Sequence, residues 1–340
     1  MHPPSNTPAP QQIRVLVTGA SGFLGSHVCE QAARSGFRVR ALVRPTSDKG
    51  FLETLPGVEF AVGAIEDVRS LEQAVEGVDA VIHAAGLVKV RRLRQFEEVN
   101  VQGTKNMIAA TLRRAPAIQR FVQVSSLAAL GPSVDGRPIT DDAPPNPVSQ
   151  YGRSKLEGER AAIAASDRIP VTVIRPPLIY GPRDKECLAF FTSIQRGVLP
   201  ILGDGRNTLS VITGADCARA CVRALTATTP SGRSYLVDDG EIYVWCDALA
   251  EIEKALGKRA WLRWGLPLPV VSLAAVATEA WASLTDTAQM LRRDKIKELR
   301  QRHWVCLGEN ARRELPWSPT TRWPQGVAET AAWYRSAGWL

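Results

Sequence analysis

The chain has 340 residues, 45% of them hydrophobic and 22% charged, with a formal net charge of +8, enough apolar material for one large core and a smaller satellite. The cations are scattered: the densest stretches, 91–94 and 292–302, are broken by Leu93, Asp294, Ile296, Glu298 and Leu299 and read as mixed-charge helical faces, so no nucleic-acid partner is expected. None of the six cysteines forms a Cys-x-x-Cys pair, which fits reduced thiols and no metal; Cys217 and Cys221, four apart, read as small buried residues on one helix face.

Residues 1–12 hold four prolines and no apolar run; they read as a disordered tail without the apolar core of a secretion signal, and a cytoplasmic location is expected. From there short β-branched runs alternate with longer helical patterns. Strands are predicted at 13–18, 38–43, 58–62, 80–83, 120–125 and 171–174, and helices at 22–35, 70–75, 99–114 and 151–166, with Gly36 stopping the first helix. That alternation makes a parallel sheet covered on both faces, a doubly wound α/β (Rossmann) fold whose ligand crevice lies beyond the carboxyl ends of the strands.

After Gly181-Pro182 the pattern changes, although 209–227 and 234–237 return to the sheet. The expected division is therefore discontinuous: 13–182 plus 209–244 bind a dinucleotide, and 183–208 plus 245–340 form a smaller substrate-binding region. The latter holds Trp245, Trp261, Trp264, Trp281, Trp304, Trp317, Trp323, Trp333 and Trp339, which read either as its own core or as an apolar wall for a substrate. The apolar stretch 266–284 contains Glu279 and falls short of the ~18 uninterrupted apolar residues of a spanning helix. It reads as a buried or lid helix and not a transmembrane one, with peripheral contact to a membrane surface as the other reading.

Directly after the first strand comes Thr18-Gly19-Ala20-Ser21-Gly22-Phe23-Leu24-Gly25, which turns the chain and opens a helix. Gly19 permits the tight turn, Gly22 lets backbone N–H groups approach a pyrophosphate, and Gly25 lets the helix pack on the sheet. With a helix N-terminus facing the negative charge, a dinucleotide is the predicted ligand. The second strand ends Leu42-Val43-Arg44, where an acidic residue would bond the ribose hydroxyls of NAD. Arg44, followed by Thr46, Ser47 and Lys49, favours NADP(H); NAD(H) is the alternative if Arg44 is a solvent-facing residue beside a turn.

Tyr151-Gly152-Arg153-Ser154-Lys155 opens a helix after the proline-rich turn at 144–147, and the i,i+4 spacing stacks Tyr151 and Lys155 on one face. A phenol with an ordinary pKa near ~10 is a poor proton shuttle at neutral pH. An adjacent ammonium stabilises the phenolate, so Lys155 is expected to bring Tyr151 down. An earlier strand ends Val124-Ser125-Ser126, whose hydroxyls reach the same crevice.

Together these motifs resemble the extended short-chain dehydrogenase/reductase superfamily, also called the NAD-dependent epimerase/dehydratase family. The likeness covers nearly the whole chain and includes His83-Ala84-Ala85-Gly86, Asn100-Val101-Gln102-Gly103-Thr104, and Arg175-Pro176-Pro177 through Tyr180-Gly181-Pro182. It implies that Tyr151 is the general acid in reduction, Lys155 its partner, and Ser126 the hydroxyl on the substrate oxygen. Ser126 is preferred to Ser125 because Ser126 to Gly131 resembles the family's Ser-x-x-x-x-Gly. For the cofactor it implies Gly19, Ser21, Gly22, Phe23, Leu24 and Gly25 at the phosphates, Ala84, Ala85 and Gly86 along the ribose and phosphates, and Pro176 beside the nicotinamide, with Ser125, Tyr151 and Lys155 also in contact. Asn100 reads either as support behind the site or as a helix start. One departure is Gly63-Ala64-Ile65, where the family often has Gly-Asp-Leu/Ile: the carboxylate for the adenine amine is missing, Asp67 is not expected to replace it, and adenine binding would rest on packing against Ile65.

Dehydration needs an extra acid and base beside the catalytic hydroxyl, but Leu127-Ala128-Ala129 follow Ser126. Nucleotide-sugar enzymes commonly place asparagine after the arginine of the sixth strand, where Pro177 and Leu178 stand. The segment 175–182 instead resembles the 3β-hydroxysteroid dehydrogenase and dihydroflavonol reductase branches. The expected function is hydride transfer between nicotinamide and a ketone or secondary alcohol of a hydrophobic small molecule, of steroid, lipid or polyketide-like aromatic type. Two alternatives stay open, a nucleotide-sugar epimerase with tightly bound NAD and a non-catalytic dinucleotide-sensing regulator. By the same resemblance, a homodimer would form through the helices 99–114 and 151–166.

Overall fold

A computed structural model describes residues 13–266 and 293–340. The expected tail at 1–12 and nearly all of the apolar stretch 266–284, with Trp281, lie outside the described residues. The large sheet has seven strands: β1 Arg14–Thr18, β2 Arg38–Val43, β3 Glu59–Val62, β4 Ala80–His83, β5 Arg120–Val124, β6 Val171–Arg175 and β7 Arg233–Leu236. Their order is β7-β6-β5-β4-β1-β2-β3, and every neighbouring pair is parallel. This is the doubly wound fold expected, and each predicted strand lies within one residue of its observed bounds.

The strands form where they do because both faces of the sheet are covered. β4, β5 and β6 are buried at every position, whereas the edge strand β3 leaves Phe60 and Val62 exposed. The helices are α1 Phe23–Arg34, α2 Val68–Val75, α3 Gly103–Arg114, α4 Gln150–Ile163 and α5 Gly214–Thr226. Alternate residues of β1 face opposite cores: Val15 and Val17 pack among α1 and α5, Leu16 among α2, α3 and α4. Each such side chain, fully buried, contributes about 1.5–3 kcal/mol. Cys217 and Cys221 are buried on α5, and Gly36 follows the end of α1 at φ +85°.

Three helix predictions need correction, the first being that the helix expected at 151–166 is Gln150–Ile163 and ends three residues early. α2 starts at Val68, because the Asp67 carboxylate caps it by accepting the Arg69 N–H at 3.0 Å. The helix expected from residue 99 starts at Arg94 and passes through a π-helical stretch, Glu97–Gln102, before continuing as α3. A wider turn breaks the 3.6-residue period on which the prediction relied.

A second core gathers Leu188–Gln195 with α6 Trp245–Leu256 and α7 Trp323–Ser336, through Phe191, Ile194, Leu249, Ile252, Val327 and Tyr334. Trp323 is buried there, and Trp245, Trp333 and Trp339 pack at its edge. Trp317 enters the core of the large sheet instead, whereas Trp261 and Trp264 are 78% and 56% exposed. No helix among the described residues is long and apolar enough to cross a membrane.

Candidate functional site

The glycine turn after β1 is built for a close ligand. Gly19 has φ +67°, and a Cβ there would stand 2.8 Å from the Ala85 N; a Cβ on Gly25 would stand 2.0 Å from the Gly19 carbonyl oxygen. α1 therefore begins tight against both β1 and the segment after β4. Its N-cap, Gly22, offers no side-chain cap, and its first turn holds no acidic residue. Ser21 and Gly22 are exposed while Gly25 is buried. The first N–H groups of α1 thus face outward with their partial positive charge uncompensated, the arrangement a diphosphate needs. Phe23 and Leu24 hold the turn from behind, Phe23 edge-on to His27 at 5.4 Å and Leu24 against the sheet's core.

Beneath this cradle runs a buried polar chain. Thr18 and His83 end the paired strands β1 and β4 side by side. Thr18 Oγ1 accepts the Ala85 N–H at 3.2 Å and lies 2.7 Å from His83 Nδ1, and His83 Nε2 lies 3.2 Å from Thr104 Oγ1. Thr104 in turn donates to the Asn100 carbonyl at 2.8 Å. Burial, and next the Lys155 charge, push the His83 imidazole down to about 3. This chain fixes Ala84, Ala85 and Gly86 in line with the glycine turn. Of the two readings of Asn100, helix start is not the one found: the residue lies within the π-helical stretch, and its amide reaches Leu87 and Ser154.

The side chains expected at the chemistry meet beyond the end of β5. Ser126 caps the short helix Leu127–Leu130, its hydroxyl accepting the Ala128 N–H at 3.1 Å, and it faces the Tyr151 phenol closely enough to pull that group's pKa down. Ser125 Oγ is buried and has no partner among the described residues, a hydroxyl free to meet a ligand. Tyr151 lies in the first turn of α4, with Phe96 at 5.8 Å. Lys155, one turn on, donates from Nζ to the Val124 carbonyl at 2.6 Å, and a Cβ on Gly86 would stand 3.5 Å from that Nζ. Pro176 is buried, its carbonyl accepting the Leu127 N–H at 2.8 Å. α4 is fastened to β6 by a buried ion pair in which Arg175 Nε donates to Glu159 Oε2 at 3.1 Å.

The electrostatics depart from the sequence expectation. Burial pushes the Tyr151 phenol up to about 12, against the pull of the Ser126 hydroxyl and with a further push from the Glu298 charge. Burial also brings Lys155 down to about 8. The lowering expected from Lys155 is outweighed by burial, and the ammonium is directed at a backbone carbonyl.

Farther along the crevice, Arg44 stands exposed past the end of β2, its backbone N–H bonded to Ser47 Oγ at 3.1 Å. Ile65 is only 8% exposed and packs against Gly103, with its carbonyl accepting from Asn106 Nδ2 at 2.9 Å. Asp67 is occupied in capping α2. A separate cleft of about 270 Å³, lined by Leu93, Phe96, Gln150 and Arg153 among others, flanks the start of α4. Among the described residues no group of His, Cys, Asp or Glu is placed to hold a metal.

The exposed helix start, the glycines that tolerate no Cβ and the free Ser125 hydroxyl fit a nicotinamide dinucleotide. The model of the NAD dependent epimerase/dehydratase family matches residues 15–238. A ceramide reductase of Caulobacter vibrioides is 35% identical over 330 residues, covering 96% of each chain. A 2-alkyl-3-oxoalkanoate reductase of Stenotrophomonas maltophilia is 29% identical over 94% of this chain and 99% of its own. Among solved structures, DesIV, a dTDP-glucose 4,6-dehydratase of Streptomyces venezuelae with NAD and TYD bound, superposes with a TM-score of 0.79 at 26% identity, covering 96% of this chain and 98% of that one. Fold, cradle and these matches agree: the chain belongs to the NAD-dependent epimerase/dehydratase family and is an enzyme of the extended short-chain dehydrogenase/reductase type.

Proposed function

We propose that this enzyme reduces ketones in bulky apolar molecules, with NADP(H) preferred to NAD(H), and that ceramide-type lipids in their keto form are the first substrates to try. The observation that carries the reading is geometric: Ser126, at the start of the short helix after β5, and Tyr151 and Lys155, one turn apart at the start of α4, converge beyond the end of β5. The two reductases similar to this chain, and the apolar Leu127-Ala128-Ala129 after Ser126, support it over dehydration.

A bound nicotinamide supplies the hydride. Ser126 orients the carbonyl oxygen, and Tyr151 gives that oxygen its phenolic proton as the carbon is reduced, so that C=O, hydride and proton become CH–OH. Lys155 would bond the cofactor's ribose, and its positive charge would offset the negative charge left on Tyr151. The Gly19–Gly25 turn would hold the diphosphate, Ser125 and Pro176 would border the nicotinamide, and Arg44 would meet a 2′-phosphate. In the same reading 183–208 and 245–340 receive the substrate, and two copies pair through α3 and α4.

The test is loss of NADPH absorbance with keto-ceramide and simpler long-chain ketones, run also with NADH. Tyr151→Phe is expected to lower kcat by about 10²-fold or more while NADPH binding is retained. Turnover untouched by that change would remove the assignment. Purification with tightly held NAD and no net turnover would point to epimerisation instead.

A further inference from the structure

The helix that carries Tyr151 is gripped at its start from far along the chain. Ser149 caps α4, its hydroxyl accepting the Gly152 N–H at 2.9 Å, and the same hydroxyl donates to Glu298 Oε1 at 2.5 Å. Next to it, the Gln150 N–H donates to Asp294 Oδ2 at 2.8 Å. Both carboxylates project from the helix Arg293–Leu299 and are 7% exposed. Each also meets a lysine of that helix, Glu298 with Lys295 Nζ at 2.5 Å and Asp294 with Lys297 Nζ at 3.2 Å. Trp304 secures the helix in turn, its Nε1–H donating to the Glu298 carbonyl at 3.1 Å from a strand paired with Thr208–Leu209.

A helix start needs only a local cap or water for its free N–H groups. Two buried carboxylates from another region are a costlier solution, since each must leave water to take part. What the arrangement adds is control over one residue: Tyr151 sits between Ser149 and Gly152, inside the turn that the grip immobilises.

We propose that Glu298, acting through Ser149, is a positioning residue for Tyr151, fixing the first turn of α4 so that the phenol meets Ser126. The inference rests on the reading of Tyr151 as proton donor. Glu298 faces Ser149 and Tyr151 from α4, Lys295 from its own helix and the Trp304 indole from the strand His303–Trp304. Its negative charge acts on the phenol in the direction that retains the proton, so the grip sets both place and protonation.

Glu298→Gln keeps an acceptor for the Ser149 hydroxyl and removes the charge; Glu298→Ala removes both. The full chain, labelled with ¹³C at tyrosine Cζ, gives a Tyr151 resonance identified by its loss in Tyr151→Phe. In Glu298→Gln that resonance is expected to begin titrating about 0.5–1 pH unit lower than in the parent, and the alkaline limb of ketone reduction to move down with it. Glu298→Ala is expected to lose about 10–100-fold in kcat with KM within about threefold. If the resonance and the pH profile stay fixed in both variants while only Tm falls, the pair merely holds the fold and the proposal is overturned. If the resonance moves although no ketone is turned over by any form, the positioning role stands and the reductase reading fails.

Discussion

Asn100 holds both backbone groups of Leu87, donating from Nδ2 to the Leu87 carbonyl at 3.1 Å and accepting the Leu87 N–H on Oδ1 at 2.8 Å. The same Nδ2 donates to Ser154 Oγ at 2.9 Å, so a single amide joins the segment after β4 to the helix of Tyr151 and Lys155. Asn100→Ala strands these groups at a cost of about 1–3 kcal/mol. With Ala84, Ala85 and Gly86 loosened, NADPH affinity is expected to fall about tenfold, measured by quenching of protein fluorescence. A lower Tm with unchanged affinity would mean that this segment does not touch the dinucleotide.

His83 makes stability depend on acid. Its imidazole titrates near 3 in the folded chain against an ordinary 6.5, because burial opposes the charge. Between those values the unfolded chain holds a proton that the folded chain does not, so the stabilisation is complete above about 6.5 and is lost as the pH falls toward 3. At pH 4.5 the loss from this residue alone is about 2–3 kcal/mol. His83→Gln should remove that slope: urea midpoints at pH 7 and pH 4.5 will lie closer together in the variant. An equal drop in both proteins would assign the acid sensitivity elsewhere.

Lys155 works against the fold it serves. Burial lowers its ammonium to about 8 from 10.5, so below about pH 8 both folded and unfolded chains carry the proton and the burial cost is present in full. Between 8 and 10.5 the folded chain releases the proton first, and stability from this group rises with pH. Lys155→Met should therefore melt at or above the parent at pH 7, with the Val124 carbonyl keeping the Gln123 side-chain amide at 3.3 Å as its donor, while turnover falls about 10²-fold or more. The thermal advantage should shrink toward pH 10. Calorimetry showing the variant well below the parent at both pH values would sink the idea.

The sheet was legible because a strand covered on both faces must be a continuous apolar run, and Ala80–His83 or Val171–Arg175 can be little else. Spacing likewise brought Tyr151, Lys155 and Ser126 to one crevice. Spacing says nothing of burial, however, and burial of the phenol, with the ammonium turned to the Val124 carbonyl, reversed the expected direction. The Thr18–His83 contact was within reach, since both residues end predicted strands and a doubly wound sheet of this type sets its first strand beside its fourth. No local pattern announces a carboxylate at 298 for a serine at 149, and a π-helical stretch has no periodicity to find.

Ala311, Leu315 and Trp317 lie in the same core as β1 and β4, and Glu314 reaches back to β7, taking Arg233 Nη2 at 2.8 Å and the Tyr235 hydroxyl at 2.7 Å. During synthesis every strand of the large sheet has been made once residue 236 is joined, yet the face that α1 and α5 cover still lacks the part of its cover supplied by Ala311, Leu315 and Trp317. A nascent chain of this enzyme must therefore wait, sticky side out, for a segment translated near the end. Its yield in a cell will turn on holding chaperones during that interval and on leaving residues 311–317 intact in any shortened version.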